Sequence, residues 1–198
     1  MNRKEAEELL KEVYEKRTSE HADNLMIHSK IVAYVAEKIA KLSGLDPEKA
    51  YIMGLLHDVG RSQDRKIRHT IIGYRILKEK NVPEEIARIT ITHLYILKDG
   101  LNLINQEKEF KDDEYKFVKN YLKNIEYDDY DKLIQISDLM GSLEIQTIEE
   151  RMFSVFCRYD IVNNVPFCQQ IQNLKDYFEE KMGTSIYKPF KDVLKNRF

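Results

Sequence analysis

The stretch GLLHDVGR, residues 54–61, decides the fold because it places His57 and Asp58 directly after an apolar run. An apolar residue lies on either side of the pair, so both polar side chains are expected in the interior. A buried polar group is costly unless it has a partner, which can be another side chain or a metal ion. Gly60 allows a helix to stop at this point. The stretch therefore predicts a helix whose end delivers two polar groups to the core.

The rest of the chain shows the same helical spacing of apolar residues, and we find no convincing set of strands. The 7 glycines and 4 prolines in 198 residues are few for a sandwich or barrel with many turns. The sequence predicts an all-α bundle, with residues 98–131 inserted between core helices as a loop and a surface helix. The predicted helices span residues 4–17, 24–42, 47–59, 69–80, 81–95, 113–125, 131–144, 147–161, 166–183 and 189–196.

The charge balance limits the classes of partner. There are 32 basic and 34 acidic residues, and the net charge is −2. This balance argues against a nucleic-acid binder that works through bulk charge. No apolar run approaches the roughly 20 residues of a membrane span, and the N-terminus is typical of a charged helix, not of a signal peptide. Cys157 and Cys168 are expected to be reduced thiols of a cytoplasmic protein.

Four of the five histidines lie on apolar helix faces. His28 shares a face with Ile31 and Val35, and His69 shares one with Ile72 and Ile76. His57, His93 and Asp138 follow apolar residues by three or four positions. One inward histidine is usually a satisfied core residue. Burying several titratable groups without a cation would be costly, so a divalent metal explains them together. The inward polar set is His28, His57, Asp58, His69, His93 and Asp138.

The donor types limit which metal site this can be. Neutral imidazoles and carboxylates suit Zn²⁺, Mn²⁺, Fe or Ni²⁺. No helix carries an HExxH pair, and the two cysteines make no CxxC motif. A zinc finger or a zincin is therefore excluded.

The order of these residues resembles that of a known family. His28, then His57-Asp58, then Asp138, on an all-α chain, resembles the HD superfamily of metal-dependent phosphohydrolases. The stretch LLHDVGR is similar to the HDIG-type motif of that family. The resemblance implies that these four residues hold a first divalent ion.

Two further histidines extend the resemblance. HTIIGYRIL and ITH contain His69 and His93, which resemble the extra histidines of HD branches that hold a second metal or a phosphate. The spread of residues is similar to that in the bacterial diadenosine tetraphosphate hydrolases, although the segment after His93 departs from them. The resemblance implies one or two ions of Mn, Fe, Co, Ni, Zn or Mg, with Asp58 bridging if there are two. It implies an HD-domain helical bundle over 21–162. The predicted N-terminal helix over 1–20 and the predicted C-terminal helical extension over 163–198 lie outside the resemblance.

Two more residues are candidates for the chemistry. Arg61 could bind substrate, because a guanidinium pairs with phosphate through two parallel N–H bonds; alternatively it is a solvated cation at a helix end. Asp64 is a candidate catalytic acid or base beside Asp58, and its alternative role is a loop acid that pairs with Arg65 or Lys66.

The resemblance implies a cytoplasmic enzyme that cleaves a phosphate ester or anhydride with a metal-activated water. The expected partner is a nucleotide or another small phosphorylated substrate, without nucleic acid or membrane. The C-terminal helices could cover the site or make a homodimer contact. Two alternatives stay open: a non-catalytic HD module that senses a nucleotide or metal, and a di-iron oxygenase.

Overall fold

The computed structural model describes residues 1–15, 20–96, 107–158 and 165–194, except for the side chains of 20–22, 107, 112 and 158. Within these ranges the chain forms helices and no β-strand, which confirms the all-α prediction. The first part of the predicted loop, residues 98–106, lies outside them, as do the predicted helix ends at 16–17, 159–161 and 195–196. The helices are α1 (Arg3–Glu15), α2 (Glu20–Ser43), α3 (Pro47–Leu56), α4 (His69–Glu79), α5 (Glu84–Ala87), α6 (Ile89–Thr92), α7 (Asp112–Asn124), α8 (Asp129–Met140), α9 (Ile148–Arg158), α10 (Val165–Met182) and α11 (Lys191–Leu194).

Helix α2 is the centre of the bundle and packs against α3, α8 and α10. Its buried face carries Val32, Val35 and Ile39 at helical spacing. The connection to α3 is sharp because Pro47 starts the helix and the Asp46 carboxylate accepts a hydrogen bond from the first-turn amide of residue 48, at 2.9 Å. The pairing of α2 with α3 brings the end of α3 to the middle of the bundle.

Helix α3 ends at Leu56, so the predicted helix over 47–59 is too long. A turn over His57 and Asp58 follows, and a 3-10 turn then spans Val59–Ser62. The break has a packing reason, since the turn at Gly60 lies directly against the backbone at the start of α4. A continued helix would carry the chain away from α4.

The prediction of one continuous helix over 81–95 is also wrong, because the chain forms two short helices, α5 and α6, with a break at Arg88. The second piece, Ile89–Thr92, consists only of β-branched residues, which lose side-chain freedom in a helix and weaken it. His93 follows this short helix directly.

The predicted helix over 113–125 is confirmed as α7, and it carries a buried face. Its Val118 and Leu122 are fully buried in a second apolar cluster, separate from the main core. The remaining buried members come from the α4 and α6 region: Ile67, Ile71, Ile91 and Tyr95. The inserted segment therefore packs on the part of the bundle that carries two of the predicted site histidines.

Helix α10 packs on α2 and α8 and buries Ile171, Leu174 and Phe178 in the main core. Within the described ranges, no helix combines the length and apolar character needed to cross a membrane.

Candidate metal centre

Five separate segments bring the predicted polar set to one place. The middle of α2 and the third turn of α8 each supply one side chain, and the turn after α3 supplies two. The first residue of α4 and the residue after α6 supply the others. In chain order these are His28, His57, Asp58, His69, His93 and Asp138.

The first group of donor atoms lies at the more exposed side. His28 Nε2 is 3.2 Å from His57 Nε2, 3.5 Å from Asp58 Oδ2 and 3.1 Å from Asp138 Oδ1. His57 Nε2 lies 3.6 Å from Asp58 Oδ2 and 3.5 Å from Asp138 Oδ1. Ligands about 2.1 Å from one ion, at tetrahedral or octahedral angles, lie about 3.0–3.4 Å from one another. Five of the six separations among these four atoms are therefore close to the spacing of a single metal's ligands.

The second group lies deeper and shares Asp58 with the first. Asp58 Oδ1 is 3.2 Å from His69 Nε2 and 3.4 Å from His93 Nε2. The two imidazole nitrogens are 3.5 Å apart. The carboxylate of Asp58 thus turns one oxygen to each group, which is the arrangement of a bridging ligand.

The three buried histidines are held in one tautomer. Each has Nδ1 at a backbone carbonyl oxygen three or four residues earlier, at 2.7 Å for His57 and 2.9 Å for His93. A carbonyl can only accept, so Nδ1 carries the proton, and the neutral ring presents a lone pair at Nε2. The acceptors are Gly54, Lys66 and Ile89, for His57, His69 and His93 respectively. This is the outer-shell bonding that metal-ligating histidines usually have.

The charges of the cluster favour a cation. Burial disfavours the carboxylate form of Asp58, yet Arg61 and the imidazoles hold its pKa well below the usual range. Burial lowers the pKa of His28, but hydrogen bonds with the two aspartates raise it to about 9. Asp58 Oδ1 is buried and has no hydrogen-bond donor among the described residues. The two carboxylates thus attract positive charge, which a proton on His28 supplies without metal and which a divalent cation could supply in its place.

Arg61 and Asp64 lie near the cluster in different ways. Arg61 Nε donates to Asp58 Oδ2, and its Nη1 donates to the carbonyl of Arg65 at 2.9 Å. Asp64 accepts from the Lys66 amide at 2.7 Å and from Arg68 Nη1 at 3.4 Å. These contacts support an ion-pair role for Asp64, and its part in proton transfer stays a prediction. The role of Arg61 in substrate binding also stays a prediction.

Two supporting residues were not found from the sequence. Tyr14 in α1 is fully buried and donates its hydroxyl to the carbonyl oxygen of Asp58 at 3.0 Å. Glu114 in α7 is buried and accepts from Arg68, directly before His69, at 2.7 Å. A buried tyrosine usually has a partner for its hydroxyl, which is the one sequence signal for Tyr14.

Comparison with known proteins agrees with this geometry. The HD domain family model matches residues 25–160, more than half of the chain. The chain belongs to the HD domain family. The match includes every member of both donor groups, and it begins after α1. This HD domain is thus an all-α bundle with buried His and Asp groups that could hold divalent metal.

Curated relatives match only part of the HD domain chain. A tRNA (cytidine(56)-2'-O)-methyltransferase of Picrophilus torridus is 41% identical over 76 residues, which are 38% of this chain and 22% of that protein. Ribonuclease Y of Thermosipho melanesiensis is 39% identical and that of Aquifex aeolicus 35% identical, each over 79 residues. Those matches cover 39% of this chain and 15% and 14% of the two ribonucleases. The chain thus matches less than a quarter of the length of these relatives. No solved structure gives a significant match.

Proposed function

We propose that this HD domain is a metal-dependent phosphohydrolase that cleaves a phosphate ester or anhydride of a nucleotide or another small phosphorylated substrate. The observation that carries the proposal is the Asp58 carboxylate, which turns one oxygen to each of two donor groups. A pair of cation sites that share one carboxylate suits in-line displacement at phosphorus. The family assignment supports the same chemistry.

The exposure of the cluster gives the substrate a side from which to enter. His28 and Asp138 are 15% and 22% exposed, whereas the side chains of His57, His69 and His93 are almost fully buried. A phosphate would therefore arrive at the first group. A divalent ion held there supplies an activated water near neutral pH and offsets charge on the phosphoryl group.

The chain's own residues then bind and orient the phosphate. The guanidinium of Arg61 is 28% exposed beside Asp58, so a phosphate at the first group would meet a cation. The deeper imidazoles of His69 and His93, fixed by their Nδ1 bonds, would hold a second divalent cation through their Nε2 lone pairs. A cation held there would offset charge that develops on the phosphoryl group.

The ribonuclease Y relatives support a second candidate, hydrolysis of an RNA phosphodiester at the same site. The chemistry at phosphorus would be the same. The net charge of −2 favours a small substrate, because nucleic-acid binders are usually basic. A substrate panel should therefore include short RNA beside nucleotides, dinucleoside polyphosphates and sugar phosphates.

The test is product release from this panel with Mn²⁺, Co²⁺, Ni²⁺, Fe²⁺, Zn²⁺ and Mg²⁺ added separately to metal-free protein. Asp58→Ala is the variant, and Asp176→Ala is the matched control. Asp176 is exposed on α10, and its carboxylate accepts a hydrogen bond from Gln172 of the same helix. We expect metal-dependent hydrolysis by wild type and Asp176→Ala, and none by Asp58→Ala.

Other results would redirect the assignment. No hydrolysis by folded, metal-loaded wild-type protein would refute the proposal. Nucleotide binding without turnover would then favour a sensing module, and oxygen consumption with iron would favour the di-iron oxygenase. Activity that persists in Asp58→Ala would place the chemistry elsewhere in the chain.

A further inference from the structure

The segment that carries His93 cannot hold its position alone. Helix α6 has four residues, Ile89–Thr92, and His93 follows its last turn. Isolated helices of this length are unstable, because nucleation fixes several residues for few hydrogen bonds. Contacts with another element must therefore fix the imidazole of His93.

Helix α8 supplies those contacts through two buried side chains. The hydroxyl of Thr92 donates to Asp131 Oδ1 at 2.7 Å. Gln135 Nε2 donates to the carbonyl oxygen of Thr92 at 2.9 Å. All three side chains are almost completely buried. The residue directly before His93 is thus held at its side chain and at its backbone.

The remaining oxygen of Asp131 is also bonded. Asp131 Oδ2 accepts from the backbone amide of Asp128 at 2.9 Å, in the capping box that starts α8, and from Arg88 Nη2. Arg88 lies directly before α6, so the carboxylate of Asp131 binds the chain on both sides of that short helix. Burying such an ion pair is weak evidence for a stabilising role, because desolvation offsets much of the attraction.

The same face of α8 reaches the first donor group. Asp131, Gln135 and Asp138 stand at positions i, i+4 and i+7, which lie on one side of a helix. Asp138 Oδ1 contacts His28 and His57, while the other two hold Thr92. One rigid helix therefore sets the first group and the His93 segment relative to each other.

We propose that Thr92 and Asp131 are positioning residues that hold His93 Nε2 near Asp58 Oδ1 and thereby set the affinity of the second group for a divalent cation. The proposal deepens the proposed function, on which it rests for the role of a second ion. Neither residue touches the donor atoms. Their effect passes through the backbone of residue 93.

The chain contains a matched control for the test. Thr90 and Thr92 lie in the same short helix, and both are fully buried. The hydroxyl of Thr90 donates locally to the carbonyl of Ala87 at 3.0 Å, whereas that of Thr92 reaches α8. Thr90→Val and Thr92→Val remove the same atom type in the same environment. Thr92→Ser keeps the hydroxyl and serves as the rescue variant.

The experiment is a titration of metal-free protein with Mn²⁺. Binding is measured by calorimetry and by the electron paramagnetic resonance signal of free Mn²⁺. We expect two binding steps in wild type, Thr90→Val and Thr92→Ser. We assign the weaker step to the second group, which has three donor residues against four in the first. In Thr92→Val that step should lose about 10–100-fold in affinity, the usual effect of removing an outer-shell partner. The stronger step should change little.

Three results would overturn the proposal: a single binding step in wild type, an unchanged weaker step in Thr92→Val, or an equal loss in Thr90→Val. Circular dichroism shows whether each variant is folded. The titration uses no substrate, so failure of hydrolysis with two normal binding steps would refute the proposed function and leave the positioning role standing.

Discussion

Replacing Gly60 with alanine is expected to displace His69 and weaken the second donor group. A Cβ at position 60 would lie 1.9 Å from the carbonyl oxygen of His69 and 2.5 Å from the amide nitrogen of Gly73. Both are backbone atoms of α4, so no side-chain rotation relieves the overlap. Real Cβ atoms keep at least 3.0 Å, and the two backbones must therefore separate by about 1.1 Å.

A displacement of this size is large for the site. His69 Nε2 lies 3.2 Å from Asp58 Oδ1. Asp58 is two residues from Gly60 in the turn after α3, and His69 belongs to α4, so separating these two backbones would move the two side chains apart. Overpacking of this kind costs about 1–3 kcal/mol of unfolding free energy. A misplacement of about 1 Å can lower catalytic activity about 100-fold.

The assay combines urea unfolding with the Mn²⁺ titration, and Gly44→Ala is the control. Gly44 has φ +77° and no neighbour within 4 Å of an added Cβ, so alanine there strains only the local backbone. That strain costs about 1–2 kcal/mol. Gly44 follows α2, sixteen residues after His28, which is about 24 Å along a helix. Both variants should lose stability, and only Gly60→Ala should lose affinity at the weaker metal step.

Wild-type affinity at both Mn²⁺-binding steps in Gly60→Ala would refute the reasoning. It would show that the close contact between the Gly60 turn and α4 does not position His69. An equal loss of affinity in Gly44→Ala would show that the titration reports general stability.

Three other changes give distinct outcomes. Hydrogen bonds from Arg68 hold the pKa of Glu114 at about 2, below its usual 4.5, so the stabilisation is present above pH 4.5 and is lost as pH falls towards 2. Glu114→Gln should therefore lower the unfolding free energy by about 1.5–3 kcal/mol near neutral pH. The difference in unfolding free energy between the variant and wild type should shrink at low pH, and a constant difference in urea titrations would contradict this. Tyr14→Phe, which removes the hydrogen bond to Asp58, should cost about 1 kcal/mol in the same assay; an unchanged urea midpoint would count against that role. Excess Mn²⁺, at about 100 times Kd, should stabilise wild type against unfolding by about 2.7 kcal/mol and raise its melting temperature. The melting temperature of Asp58→Asn should not change, and a chelator should reverse the rise in wild type. A similar rise in the variant would argue against binding at Asp58.

Local periodicity was enough to predict the fold class and the inward direction of the polar set. His57, His69 and His93 lie on apolar helical faces in the sequence, and all three are buried in the structure. The 3.6-residue period carries this information because each face repeats every few residues. The predicted end of α3 is three residues too late, and the break at Arg88 was not predicted, since both depend on packing against other helices.

The supporting contacts could not be predicted because they join residues far apart in sequence. Tyr14 reaches a carbonyl 44 residues away, and Thr92 reaches a carboxylate 39 residues away. No local pattern distinguishes Glu114, a charged residue of an apparently exposed helix, from its neighbours. The division of Asp58 between two donor groups was expected only from the family resemblance, because it depends on three-dimensional register and not on local periodicity.

The spread of the donor residues along the chain has a topological consequence. They come from five segments between residues 28 and 138, more than half of the chain. Cations bound by the two donor groups, which share Asp58, would join these segments at one place, like a branched cross-link. Such ties act mainly by restricting the unfolded chain, and their effect grows with the length of the loops they close. With divalent cations bound, residues 28–138 should therefore unfold as one cooperative unit. Helix α10 lies outside that range and could unfold separately.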